Sequence, residues 1–319
     1  MIHPLSVTRI FCSFVGIFFS YSTILLASPI TVEIATILPD GTGGSTALRT
    51  MGKSIAAETK GEINLKFLWG GMAGSDADVL SQINAGTIKG AMFAGQIMDG
   101  IAPIMREGEI PFQFGNDRSK ARAFVAKNST TWAKGIAKSG FHSLGFYEVG
   151  FVYLCSKKPV KTLSDLSGAQ IWVWPGDVLG RTVINEFKGV PTEIAVQDSY
   201  KAFADGRLEM AYGPAIAIIA LQWYTKAPQV VIDPISYATG SLLLSDKIWK
   251  NISGPNQAII EKFASEAIVK LNEAAVQDEG ESLEALKSLK VAMTKLPDAD
   301  KSKLATVNKA VRSHWKPKH

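Results

Sequence analysis

Residues suited to catalysis are few in this chain, and they are scattered. The sequence holds four histidines and two cysteines, and only His142 lies inside the part expected to form a core. No serine, histidine and acid have the spacing of a nucleophilic triad, no set of side chains has metal-ligand spacing, and Glu148 and Asp165 form no evident acid–base pair. Cys155 lies in an apolar run, which predicts a buried structural thiol. We therefore expect no enzyme activity, no metal and no cofactor.

Two glycine-rich loops, residues 41–44 and 70–76, follow predicted strands. Neither loop has the glycine–lysine spacing of a phosphate-binding loop or the three-glycine spacing of a dinucleotide-binding turn. Tight turns are enough to explain the glycines in both loops. The composition is that of a soluble globular protein, with 46% hydrophobic and 20% charged residues. The net charge of +5 is small for 319 residues and the basic residues alternate with acidic ones, so no nucleic-acid partner is expected.

Residues 1–28 differ from the rest of the chain. Arg9 is their only charged residue, residues 10–27 are mostly apolar, and small residues precede Pro29. This pattern predicts a secretory signal peptide that is cleaved near residues 27–29, which would place the protein in the periplasm. A retained membrane anchor is the alternative, because about 18 apolar residues just span a bilayer.

The segment 163–214 predicts a βαβαβ unit, and it is the starting point for interpreting the rest of the chain. A short apolar strand at 171–174 ends at Pro175, a helix covers 178–187, and a third strand ends at Gly213. Parallel strands with covering helices follow from that order, and ligands bind beyond the carboxyl ends of such strands. A similar alternation covers residues 30–94.

Two long extended stretches, 144–154 and about 230–234, predict strands that cross between two βα units. The expected fold is α/β and two-lobed, like a periplasmic binding protein, with hinge-crossing strands and C-terminal helices. We expect one lobe from residues 29–150 and about 235–275, and the other from residues 151–234. Helices within about 255–319 are expected to pack across both lobes.

Five sequence blocks resemble, in order, the DctP-type solute-binding proteins of tripartite ATP-independent periplasmic (TRAP) transporters. They span most of residues 30–290. The blocks are 71–76 (GMAGSD), 109–114 (EIPFQF), 165–171 (DLSGAQI), 189–192 (GVPT) and 199–210 (SYKAFADGRLEM). The resemblance implies a small-molecule solute and two membrane subunits, one small and one large. A periplasmic accessory protein is left open as a further partner.

The chain departs from the family pattern at three positions. The resemblance implies an arginine that binds a solute carboxylate where Trp172 stands, a second basic residue at Val152, and a polar side chain at Gly213. A bidentate arginine fits a planar carboxylate, whereas tryptophan offers one N–H donor and an apolar face. We therefore expect a neutral or largely apolar solute. Arg49, Arg106 or Arg181 could instead supply a cation.

Eight residues are predicted to line the solute site. Strand alternation places Trp172 and Trp174 on one face of their strand, opposite Ile171 and Val173. The alternative is that both tryptophans pack inside the second lobe. A degenerate receptor that docks a protein partner also stays open. The predicted set is Trp172, Val152, Tyr212, Trp174, Tyr147, Phe93, Trp69 and Gly213.

Overall fold

The structure is a computed structural model that describes Met1 and residues 29–317. The predicted signal peptide therefore lies almost entirely outside the described residues. The first lobe begins with two βα units whose helices are capped by side chains. Thr42 accepts a hydrogen bond from the Ser45 backbone at the start of the first helix, and Ser75 and Asp78 form a capping box at the start of the second. Gly86 ends that helix with a φ of 80°, a left-handed conformation that glycine adopts without strain.

The elements of the first lobe are β1 (Ile30–Ala35), α1 (Gly43–Glu58), β2 (Ile63–Leu68), α2 (Asp76–Ala85), β3 (Gly90–Ala94), two 3₁₀ helices (Gly95–Gly100 and Pro103–Glu109) and α3 (Arg118–Lys138). Helix α3 runs unbroken through Lys127 and Asn128, and the Asn128 side-chain amide donates to the Phe124 carbonyl at 2.8 Å.

The second lobe repeats the βα pattern with shorter elements. Its elements are β4 (Phe141–Ser156), a 3₁₀ turn (Leu163–Leu166), β5 (Gln170–Val173), α4 (Val178–Glu186), β6 (Val190–Glu193), a 3₁₀ turn (Val196–Asp198), α5 (Ser199–Ala204), β7 (Met210–Gly213), α6 (Ala215–Ala220) and a 3₁₀ turn (Trp223–Thr225). The chain then returns through β8 (Gln229–Ser245), α7 (Asp246–Trp249), α8 (Gly254–Ser288), β9 (Ala292–Thr294) and α9 (Asp298–His314).

Within residues 29–317, nine strands form one mixed sheet in the order β2-β1-β3-β8-β4-β7-β5-β6, and β9 pairs with β8. The outer strands are parallel, whereas β4 and β8 run antiparallel through the middle. Their register extends from Phe141 opposite Ser245 to Ser156 opposite Gln229. The predicted return crossing is therefore part of a 17-residue strand, longer than alternation in the sequence indicates.

Each half of the sheet has its own apolar core. Val32, Leu48 and Ile260 belong to a core in the first half that α8 helps to cover. Phe203 and Trp223 belong to a core in the second half, which also includes Leu286 near the end of α8. The 35-residue α8 thus packs on both halves, and the fold is the two-lobed α/β arrangement expected from the sequence.

Candidate functional site

The carboxyl ends of the parallel strands in the two lobes face each other. An ideal Cβ built on Gly176, just after β5, would lie 3.8 Å from Nε2 of Gln96, just after β3. The Arg106 guanidinium of the first lobe also contacts the Asp177 carboxylate of the second. The two lobes are therefore closed on each other at the edge where ligands bind in sheets of this kind.

Three of the predicted aromatic residues come together in the second lobe. The ring centroids of Trp172 and Trp174 lie 4.9 Å apart, and those of Trp172 and Tyr212 lie 5.4 Å apart. Trp172 is 2% exposed, and its indole N–H donates to the Ile194 carbonyl at 2.8 Å. Trp174 and Tyr212 are half-buried. Trp172, in β5, and Trp174, directly after it, lie on the same side of the sheet, as alternation predicts. Solute contact by Trp172 stays a prediction.

Val152 and Gly213 lie next to this cluster on neighbouring strands. Tyr153, the residue after Val152, pairs with Gly213 across β4 and β7, and both Val152 and Gly213 are buried. A Cβ on Gly213 would come within 3.3 Å of the Trp223 ring. The small residue at this position therefore gives the Trp223 ring room to pack against β7.

The other three predicted residues belong to the first lobe and do not form one cluster. Trp69 is stacked on Phe67 at 5.0 Å, and the Arg49 guanidinium lies 5.0 Å from the Trp69 ring centroid. The Tyr147 ring lies over Gly240, where a Cβ would be only 2.2 Å from it. Phe93 is 1% exposed and lines a small pocket.

That pocket lies at the carboxyl ends of β1 and β3. Thr36, Asp76 and Phe93 are among its lining residues, and it has room for about one water molecule. Burial raises the pKa of Asp76 to about 6. Burial is also the main cause of a raised pKa for the Tyr147 hydroxyl, with the charge of Asp76 adding to it. A solute the size of a sugar needs the lobes or these side chains to move.

A buried arginine lies between the lobes and is surrounded by acids. The side chain of Arg106 is 3% exposed, and its three nitrogens donate to Asp99 at 3.1 Å, Glu109 at 2.9 Å and Asp177 at 3.0 Å. Burial raises the pKa of Glu109 to about 7 despite the adjacent guanidinium. Burial likewise raises the pKa of Asp99. The cluster carries three carboxylates for one cation.

The other two arginines that could supply a cation are exposed and paired. Arg49 Nη2 lies 2.5 Å from Asp40, with both side chains about half exposed. Arg181 Nη1 lies 2.5 Å from Glu193, and both of these side chains are more than one third exposed. Each of the three arginines named from the sequence is therefore engaged by at least one carboxylate.

Catalytic and metal chemistry find no support in the described part of the chain. Burial raises the pKa of the Cys155 thiol to about 12, so this thiol is protonated at neutral pH. Among residues 29–317, no group of three histidine, cysteine or acidic side chains is placed to hold a metal ion. Over the same residues, no helix combines the length and the apolar character that a membrane span needs.

Comparison with known proteins agrees with the fold. A sequence model of the DctP family, described as bacterial extracellular solute-binding protein family 7, matches residues 34–317. The chain belongs to this family. Its members are periplasmic solute receptors of TRAP transporters rather than enzymes, and they work with membrane subunits.

Similar proteins include a solute-binding protein of Sulfitobacter sp. (strain NAS-14.1), which is 22% identical over 242 residues, 75% of this chain and 73% of that protein. A crystal structure of a TRAP periplasmic solute-binding protein from Sulfitobacter sp. NAS-14.1 with bound β-D-galacturonate has a TM-score of 0.81 at 19% identity, covering 89% of this chain and 94% of that one. A structure from Desulfovibrio salexigens with bound orotic acid has a TM-score of 0.82 at 19% identity, covering 89% and 92%. At these identities, the likeness to the solved structures shows the fold.

Sequence reasoning did not identify Asp76 or Asp177 as site residues. Both lie at the starts of helices, where an aspartate is common for capping alone. Arg106 was considered only as one of three arginines that could supply a cation. Its pairing with a residue 71 positions away has no local signal in the sequence.

Proposed function

We propose that this protein is a periplasmic TRAP receptor that holds a small solute without a carboxylate between its lobes. It would deliver that solute to the small and large membrane subunits. The main support is that Trp172 and Val152 occupy the two positions where the family resemblance implies basic residues, and both are buried. A carboxylate buried there without a cation would cost several kcal/mol, on the order of the penalty for any unpaired buried ion.

The remaining groups near the cleft suit a neutral solute. Tyr212 and Trp174 offer aromatic faces in the second lobe, and Thr36 and Asp76 offer oxygen atoms in the first. Asp76 would accept a hydrogen bond from a solute hydroxyl and would repel a solute carboxylate. Galacturonate and orotic acid, bound by the two structural relatives, are carboxylic acids, so this receptor would differ from those relatives in solute class.

Matched pairs of compounds test the proposed solute class. Each pair should share one skeleton and differ only in a carboxylate, as galactose and galacturonate do. A ligand at ~100 times its dissociation constant adds about 2.7 kcal/mol to stability, which raises the thermal midpoint by a few degrees. We expect shifts only from neutral members of such pairs. A shift from the acid alone would contradict the proposal.

The role of Trp172 needs a matched control, because it is also a core residue. Trp172→Phe removes the donor to the Ile194 carbonyl, and Trp223→Phe removes an equally buried indole that donates to Ser199. Both variants should lose about 1 kcal/mol of stability. Only Trp172→Phe should also reduce the midpoint shift given by the solute. If the solute raises the thermal midpoint equally in both variants, Trp172 is a core residue that does not contact the solute.

A second candidate is an acid receptor that uses Arg49. This arginine lies beside Trp69 near the carboxyl end of β2. Its pair with Asp40 is exposed and adds little to stability, so a solute carboxylate could replace Asp40. Arg49→Gln would then abolish a shift given by an acid. Arg181→Gln, which removes another exposed and paired arginine, would leave that shift unchanged.

Export through a cleaved signal peptide belongs to the same proposal. It is supported by the periplasmic character of the family and by the change in composition at Pro29. N-terminal sequencing of protein exported by its native host should begin near residues 28–29. An intact Met1 in a membrane fraction would instead indicate a retained anchor.

A further inference from the structure

Two large apolar side chains at the edge of the cleft are exposed to water. Met72 is 81% exposed and Ile37 is 67% exposed, the highest values for large apolar residues within residues 29–317. Val269 on α8 follows at 54%. Single exposed apolar residues are common on protein surfaces, whereas neighbouring ones indicate a contact surface. We call Ile37 and Met72 the apolar tip.

The two residues of the apolar tip belong to neighbouring loops. Ile37 follows β1 and Met72 follows β2, and these two strands pair in parallel. The backbone N–H of Gly70 donates to the carbonyl of residue 38 at 3.0 Å, and that of Gly71 donates to the carbonyl of residue 36 at 3.1 Å. These bonds on either side of Ile37 join the loops. The apolar tip therefore lies at the carboxyl ends of the strands, along the edge of the cleft.

The backbone directs Met72 toward solvent. Gly70 and Gly71 have φ values of 60° and 77°, left-handed conformations that glycine adopts without strain. Gly71 and Ala73 line the small pocket at the ends of β1 and β3, whereas Met72 between them does not. The Met72 N–H donates to the Trp69 carbonyl at 3.1 Å, which closes the turn. The side chain is thus held at the surface and does not fill the pocket.

The loops that carry the apolar tip have no charge. Residues 34–39 and 67–75 contain no acidic or basic residue, although 20% of the chain is charged. Asp40, the nearest acid in the sequence, is already paired with Arg49. The tip therefore fits an apolar partner, and methionine adapts its shape to such surfaces. Because hydrogen bonds already hold the loop, burying the tip should cost little ordering entropy.

We propose that the apolar tip docks this receptor on the membrane subunits with which its family works. A solute leaves the cleft along the edge where the tip lies, so this edge must face those subunits during transfer. Both tip residues belong to the first lobe, so the contact does not depend on the position of the second lobe. Apolar burial holds the contact, so salt should affect it little. The proposal rests on membership of the family and not on the class of solute.

A photo-crosslinker at the apolar tip tests the proposed docking. p-Benzoylphenylalanine replaces Met72, Ile37 or, as the matched control, Val269, which is also apolar and exposed. Each receptor is purified from its native host and irradiated with membranes of that host, and mass spectrometry identifies the linked peptides. The two tip positions should link to the membrane subunits at least about 10-fold more than the control. Yields in about 0.05 M and about 0.5 M sodium chloride should agree within about twofold.

Three results of the crosslinking would overturn the proposal. The first is equal linking of the membrane subunits from the tip and from the control position. The second is a tip that links to no membrane subunit, or only to lipid or to a second copy of the receptor. The third is linking from the tip that is lost in the higher salt, because that would indicate attraction between charged surfaces.

Unlabelled receptors measure how much the apolar tip contributes. The parent receptor should compete with the crosslinking receptor for the membrane subunits. Met72→Glu places a charge in the apolar contact, so it should need at least about 10-fold more protein to halve the crosslinking. Val269→Glu should compete like the parent. Both positions are exposed, so neither change should shift the thermal midpoint appreciably. Equal competition by Met72→Glu and the parent would contradict a docking role.

These outcomes are separate from those of the solute panel. The small molecules released on denaturation of Met72→Glu should match those of the parent receptor in identity and amount, because Met72 does not line the pocket. Their depletion would show that Met72 contacts the solute, and would overturn the docking role. A carboxylic acid released equally by both receptors would contradict the proposed solute class and leave the docking result unchanged.

Discussion

Two arginine–carboxylate networks in this protein use the same chemistry in different places. Arg106 lies between the lobes, bound to Asp99, Glu109 and Asp177. Arg118 lies where α3, β4 and α8 meet, and it contacts Glu148 at 2.5 Å and Glu279 at 2.9 Å. The first network crosses the cleft that must open for a solute, and the second joins elements at the middle of the two crossing strands.

The surroundings of the Arg118 network show why it should stay fixed. Glu279 also accepts from the Phe151 backbone at 3.1 Å and from the Tyr153 hydroxyl at 3.2 Å. The Arg118 guanidinium lies 5.1 Å from the Phe151 ring centroid. These partners all come from packed strands and helices, whereas Arg106 and Asp177 lie in a 3₁₀ helix and a loop. The comparison teaches that one network joins packed elements at the crossing strands, while the other joins the two lobes across the cleft.

Removing Arg106 should have the largest effect. Arg106→Leu leaves three carboxylates without their cation, and the expected loss is about 3–5 kcal/mol in the free energy of unfolding at pH 7.5. Without Arg106, the pKa values of Glu109 and Asp99 should rise further, so the folded variant would bind more protons than the unfolded chain. Its stability should therefore increase as the pH falls toward 5. Urea unfolding at both pH values measures this, and a deficit that grows at pH 5 would contradict it.

A change in the second network should affect stability without affecting the distance between the lobes. Glu279→Gln removes one charge beside Arg118, and we expect a loss of about 1–3 kcal/mol. Glu281→Gln, on the exposed side of α8, is the control and should change stability by no more than about 0.5 kcal/mol. The distance between spin labels at Lys53→Cys on α1 of the first lobe and Lys201→Cys on α5 of the second should equal that of the parent protein in both variants. A longer distance in Glu279→Gln would remove the distinction between the two networks.

Asp76 sharpens the comparison, because it is a carboxylate near the cleft with no ion-pair partner among the described residues. Its folded pKa of about 6 exceeds the usual 3.8, so its charge reduces stability as the pH rises from about 4 to about 6 and above. Asp76→Asn should therefore stabilise the protein by about 1–2 kcal/mol at pH 7.5, after allowance for solvent screening, and by almost nothing at pH 4.

Asp78 lies two residues further along α2, and its pKa is lowered, whereas the pKa of Asp76 is raised. The Ser75 hydroxyl donates to Asp78 and lowers the pKa of its carboxyl. Stability from that carboxylate is present above its usual pKa and is lost as the pH falls. Asp78→Asn should therefore lower the thermal midpoint at pH 7.5, whereas Asp76→Asn should raise it. Shifts of the same sign in both variants would show that the burial of Asp76 does not set its pKa.

The sequence predicted the features that depend on local spacing. Alternation placed Trp172, in β5, and Trp174, directly after it, on the same side of the sheet, opposite Ile171 and Val173. Long-range features were not accessible in the same way. The full length of β8 depends on its pairing with β4 and β3, and the contact between Arg106 and Asp177 depends on how the lobes close. Neither leaves a pattern in neighbouring residues.

The central claim is that this receptor holds a solute without a carboxylate. The most direct measurement is mass spectrometry of the small molecules released when protein purified from its native host is denatured. Protein from the Trp172→Phe variant, prepared in parallel, corrects for compounds that bind elsewhere. We expect a neutral compound in about one-to-one ratio with the parent protein and depleted in the variant. A carboxylic acid recovered in that ratio would contradict the claim.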